Sequence, residues 1–100
     1  MIVRLFSSAI DPSDLPDVQR IFAEDIAPVF GSLPGCTSME LLLGTDRNAG
    51  GLVEAAALSR WKSHDELLAA IDSRAVAESM VRILPFLQLE PVIRMFEILE

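Results

Sequence analysis

Few side chains in this 100-residue chain can do chemistry near neutral pH. His64 is the one histidine, and so the one side chain that titrates there by default. The run Ser63-His64-Asp65-Glu66 places it in the first turn of a helix, where the helix dipole disfavours imidazolium. Its chemical use there is proton transfer at the mouth of a pocket. Cys36 is the one cysteine and cannot form an internal disulfide, which points to a reducing cytoplasm. No histidine lies near it in sequence to activate it, so it reads as a buried or half-buried thiol at a strand start. One Cys and one His cannot supply three or four N/S ligands, so no metal is expected. Trp61 offers a ring for stacking on an aromatic substrate, although packing at a strand–helix junction is the commoner use of that side chain. Ser7 is a hydroxyl in an apolar segment. Gly44, Gly50 and Gly51 read as turn formers, without the Lys-Ser/Thr and following helix of a phosphate loop.

The elements that must position these residues follow from patterning. Apolar residues make up 51% of the chain and charged residues 23%, enough to bury a core, so residues 1–100 read as one domain. The formal net charge of −7 makes nucleic acid and anionic membrane surfaces poor partners. No run approaches the roughly 20 apolar residues of a membrane span, and the short apolar start reads as a strand over residues 2–8 rather than a signal peptide. Asp11-Pro12-Ser13-Asp14-Leu15-Pro16 opens a helix whose stripe is Leu15, Val18, Phe22, Ile26 and Val29, with Arg20 and Glu24 spaced to pair. Pro28 predicts a kink, and the helix ends near Gly31. Residues 36–44 and 52–61 read as a hairpin around the turn-forming run 45–51. The alanines in Glu54-Ala55-Ala56-Ala57-Leu58 prefer helix, but the turn before and the cap after favour strand. Ser63 and Glu66 form a capping box for a helix to about Ile71. Asp72 or Ser73 caps another, with the stripe Val76, Met80, Ile83, Leu84 and Leu87, ended or bent by Pro85. Val92 to Leu99 reads as the last strand.

The order β-α-β-β-α-α-β predicts an α+β, ferredoxin-like fold: a four-stranded antiparallel sheet with helices on one face. In strand one, Val3, Leu5 and Ser7 alternate with Ile2, Arg4 and Phe6, and both sets are mostly apolar. A half-solvated sheet would alternate cleanly, so something must cover the second face. In so small a chain the simplest cover is a second copy, and a two-fold homodimer is expected. Arg4, Glu40, Glu54, Arg60, Arg94 and Glu97 fall within predicted strands. They either pair inside or at the rim of the dimer or sit at strand ends in solvent.

Leu33-Pro34-Gly35-Cys36 before strand two, the junction Arg60-Trp61-Lys62-Ser63-His64-Asp65-Glu66-Leu67 and the element order resemble the dimeric α/β-barrel superfamily, close to the antibiotic biosynthesis monooxygenase domain. The resemblance covers essentially the whole chain and implies two sheets back to back in a dimer, with a pocket in each subunit between helices and sheet. It implies cofactor-independent oxidation of electron-rich phenols by O₂, so no cofactor is expected. The superfamily's haem degraders use an Asn, a Trp and a His at positions that here fall on Ser7, Ala70 and Ser79, so haem degradation is disfavoured. The predicted pocket lining is Leu5, Phe22, Ile26, Trp61, Leu67, Met80 and Leu84, with Ser7 and His64 as the polar candidates for catalysis. That lining suits a small hydrophobic ligand. The two functional readings are a monooxygenase-like protein acting on a small hydrophobic or aromatic metabolite, and a non-catalytic dimeric ligand-binding or interaction module.

Overall fold

The computed structural model describes residues 1–99. Strand β1 (Ile2–Ile10) runs two residues beyond the expected end, because Ala9 and Ile10 go on pairing with Glu54 and Val53. Asp11 then turns the chain: its carboxylate accepts from the Ser13 amide at 2.9 Å and opens a short 3₁₀ turn. Helix α1 (Leu15–Ile21) passes into a π turn (Phe22–Ile26) and then into α2 (Ala27–Ser32). The irregularity expected at Pro28 is therefore a widened turn placed just before it. Pro28 has no N–H for the Glu24 carbonyl, and its ring would press on that carbonyl in a regular helix. The Ala27 amide instead reaches back five residues to Phe22. This extra residue shifts the apolar stripe: the buried positions are Val18, Ile21, Ile26 and Phe30, with Val29 only half-buried. Arg20 pairs with Asp17 at 3.0 Å rather than with Glu24. Glu24 and Asp25 instead meet Arg82 at 3.4 and 2.9 Å, linking this helix to the segment after α4.

Strand β2 (Cys36–Arg47) is longer than expected, and an irregularity between Leu43 and Arg47 carries it to a tighter turn. The Asn48 side-chain oxygen accepts from the Gly50 and Leu52 amides, and Gly51 takes φ +80°. Strand β3 (Val53–Trp61) includes the alanine run. Pairing on both sides outweighs alanine's helix preference there. Helix α3 (His64–Ile71) starts as expected, with Ser63 Oγ accepting from the Glu66 amide at 3.2 Å. Helix α4 (Arg74–Ser79) is shorter than its stripe implied. The Ser79 hydroxyl donates to the Val76 carbonyl, the Met80 and Ile83 amides bond three residues back, and a 3₁₀ turn holds Leu84–Phe86. Pro85 disfavours helical geometry at Leu84, so the stripe breaks before it. Strand β4 (Val92–Glu97) completes the chain's sheet.

The sheet is antiparallel in the order β2-β3-β1-β4, the ferredoxin-like arrangement. Register assigns the faces. Ile2, Arg4, Phe6, Ser8 and Ile10 pair with Trp61, Ser59, Ala57, Ala55 and Val53, and this face carries the buried core. Leu5 and Ser7 therefore belong to the opposite face, away from the helices. That open face also carries Leu42, Val92 and Phe96, each at least 41% exposed. On it Glu40 and Arg60 approach to 3.9 Å, while Arg94 lies 5.0 Å from the Phe96 ring centre. All six residues of β4 are exposed.

Candidate functional site

The helix-covered face contains a packed end and a hollow. Around the hollow, β1 supplies Arg4, Phe6 and Ile10. Next to them on β3, Ala55 and Ala57 present only methyl groups, so the sheet floor is low where its neighbours are tall. Val18, Phe22 and Ile26 come down from α1 and the π turn, and Met80, Ile83 and Leu87 close the side. Two of the π-turn residues thus reach the hollow, and a π turn at such a place is a common companion of functional sites. The cavity measures about 70 Å³ and opens to solvent on one side. A benzene-sized guest needs about 150 Å³. Its half-buried rim includes Phe22 and Met80, and methionine's three flexible bonds allow it to yield.

Among the described residues, Arg4 is the one charged side chain lining this hollow. Its guanidinium lies 5.6 Å from the Phe6 ring centre. Its Nε–H is buried and has no hydrogen-bond partner among the described residues. Removal from water pushes the Arg4 guanidinium below its usual range, although arginine stays ionised.

The predicted site residues divide sharply. Phe22, Ile26 and Met80 line the hollow. Leu5 and Ser7 do not, because strand parity turns them to the open face. Ser7 instead borders a shallow depression of about 410 Å³ at the end of β1, with Asp46, Asn48, Glu54 and Glu90. That depression is wider but more open and polar, and its neighbouring Ser8 hydroxyl is already donated to the Leu89 carbonyl at 2.6 Å. Buried surface on a ligand comes from enclosure, so the smaller hollow is the better site. Trp61 and Leu67 are fully buried in the packed end and border neither space. The Trp61 indole donates to Ser59 Oγ at 2.8 Å, and its ring meets Phe30 edge-on with centres 6.2 Å apart. Leu84 is 50% exposed, since the helix that would have turned it inward ends at Ser79. His64 is exposed on the first turn of α3 and lies away from the hollow, so Ser7 and His64 are not brought together. Burial raises the Cys36 thiol, a shift its hydrogen bond to the Ser38 carbonyl only partly opposes.

Sequence reasoning missed Arg4 and the alanines. Arg4 belongs to the strand charges read as either paired in the dimer or placed at strand ends in solvent. It shares a strand face with Phe6, but that Phe6 lies beside the small Ala57 is a matter of tertiary register.

No family model matches the chain, and no curated protein matches it. Its fold is nevertheless well represented among solved structures. A protein of Nitrosomonas europaea, assigned provisionally as an antibiotic biosynthesis monooxygenase, superposes with a TM-score of 0.78 at 9% identity, covering 100% of both chains. A protein of Bordetella bronchiseptica with the same provisional assignment gives 0.77 at 16% identity, covering 99% of this chain and 97% of its own. SnoaB, a cofactor-independent oxygenase from Streptomyces nogalater, gives 0.69 at 17% identity, covering 99% and 94%. The chain thus has the fold of the antibiotic biosynthesis monooxygenases, as its motifs and element order implied.

Proposed function

We propose that the protein is a cofactor-independent, monooxygenase-like homodimer of the cytoplasm, and that it binds a small hydrophobic or aromatic metabolite in the helix-side hollow. The observation that carries this reading is the hollow itself: an apolar space left between large side chains by Ala55 and Ala57, one charge at its wall, in a fold shared with a cofactor-independent oxygenase. Its apolar walls exclude water from a bound ring, which is the condition such oxygen chemistry needs. Among the described residues the lining holds no carboxylate or imidazole to act as base. The substrate must therefore be one that ionises readily by itself. The same lining supports a second reading, a dimeric module that binds the ligand without converting it.

The open sheet face supports the dimer. Leu42, Val92 and Phe96 are exposed there, and a second copy would cover them. Native mass spectrometry tests assembly and occupancy together. A dimer carrying an organic adduct, with oxygen consumption when the adduct is supplied in excess, is the expected result. A dimer with an adduct but no oxygen uptake selects the binding module. A monomer at micromolar concentration overturns the homodimer.

A further inference from the structure

Arg4 stands out because its surroundings do not account for it. Arg4 is half-buried, and its Nε–H is withdrawn from water, where a donor normally faces an acceptor. Here, among the described residues, no Asp or Glu comes within ion-pair distance of it. The sheet register puts Met95 directly beside it on β4, with Glu97 further along the strand beside Ile2. On its other side Ser59 is engaged by the Trp61 indole. The Phe6 ring attracts the positive charge but accepts none of its N–H groups in the way an oxygen would. One buried donor, Nε–H, is left without an acceptor. An unpaired buried donor is costly, and a planar five-donor fork is the side chain best matched to a carboxylate.

Position sharpens the point. The chain has fifteen acidic residues against eight basic ones, so carboxylates abound to neutralise an arginine. Among the described residues none is placed in this hollow, whose remaining lining is apolar. Arg4 is half-buried at the wall of a cavity, with its Nε–H withdrawn from water. Resting on the reading that this hollow is the ligand site, we propose that Arg4 makes it selective for an apolar anion: a small aromatic or aliphatic acid whose anionic oxygens meet the Arg4 guanidinium while its hydrocarbon part fills the space over Ala55 and Ala57. In a low-dielectric setting the same charge favours the ionised form of an acidic ligand, which is what a hollow without a base requires.

The test uses benzoate and benzamide, which share a ring and differ in charge. Binding is read by chemical shifts of the hollow's methyl groups and of the Arg4 Nε–H in the full chain. The expected result is that benzoate binds at least tenfold more tightly than benzamide and moves the Nε–H resonance. In Arg4→Met, which keeps an apolar side chain of similar length, the two probes should bind equally. Arg4→Lys should keep part of the preference, since it retains charge without the planar fork. Equal binding to the native chain would overturn anion selectivity while leaving the hollow as the ligand site. A benzoate preference that survives in Arg4→Met would locate the anion elsewhere and overturn the assignment to Arg4. Binding of neither probe to the native chain, with no methyl shift, would overturn both this proposal and the hollow as a ligand site.

Discussion

The two ends of the helix-covered face are built from the same sheet and filled in opposite ways. At one end Trp61 and Leu67 are almost wholly buried, and the indole N–H is satisfied by Ser59, while Phe30 stands at the boundary, edge-on to Trp61 and lining the hollow. At the other, Ala55 and Ala57 hold back, and Arg4 keeps a buried donor without a partner. A close-packed, hydrogen-bonded end stabilises the fold. A hollow with an unmatched charge contributes less to stability than the same volume filled with apolar atoms would. The difference separates the residues that hold the fold from those available for a ligand, and it explains why the one tryptophan belongs to the first group.

The largest expected effect is at the packed end. Trp61→Ala should destabilise the protein by about 3–5 kcal/mol, because it removes the largest buried ring and leaves Phe30 without its edge contact. Urea denaturation measures this. A loss below about 1 kcal/mol would show that the end is not tightly packed. Gly35→Ala comes next. Gly35 has φ +85°, and an added Cβ would lie 2.5 Å from the Glu66 side chain, which accepts from the hydroxyl of Ser63, the cap of α3. A cost of about 2 kcal/mol is expected from the left-handed backbone and the displaced cap, by the same measurement.

The hollow should respond in the reverse sense. Ala57→Leu adds bulk where there is free space, so stability should change by less than about 1 kcal/mol, below the usual 1–3 kcal/mol of overpacking. Binding of a ring-sized probe should be lost, and calorimetric titration reads that directly. Loss of stability without loss of binding would reverse the comparison. The smallest effect concerns Cys36, which packs beside the Trp61 end. Its thiol is raised by burial, so the folded chain holds the thiol proton more firmly than the unfolded chain does. That contribution is present below the ordinary thiol range and is lost as pH rises through the folded value. Alkylation of the native protein near pH 8 should therefore be slower than that of an unfolded control.

Local chemistry made much of the fold legible. The Asp11 turn, the Ser63–Glu66 cap and the Asn48–Gly51 turn all follow from short-range rules acting on a few neighbouring residues. The site was less legible. Phe22, Ile26 and Met80 could be placed from helical spacing, but Leu5, Ser7 and Leu84 could not. A strand with two apolar faces carries no internal mark of which face meets the helices. A one-residue change of parity exchanges every side chain between them.

The sequence alone determined the alternation of strands and helices, the caps that start the helices and the net acidic charge. Each depends on residues close together in the chain or on their sum. Only tertiary structure decided which strand face is covered, where alanine methyls leave a hollow and that Arg4 faces it with no carboxylate among the described residues. Those outcomes depend on which distant segments come to lie beside one another, and in β1 the apolar pattern is nearly the same on both faces.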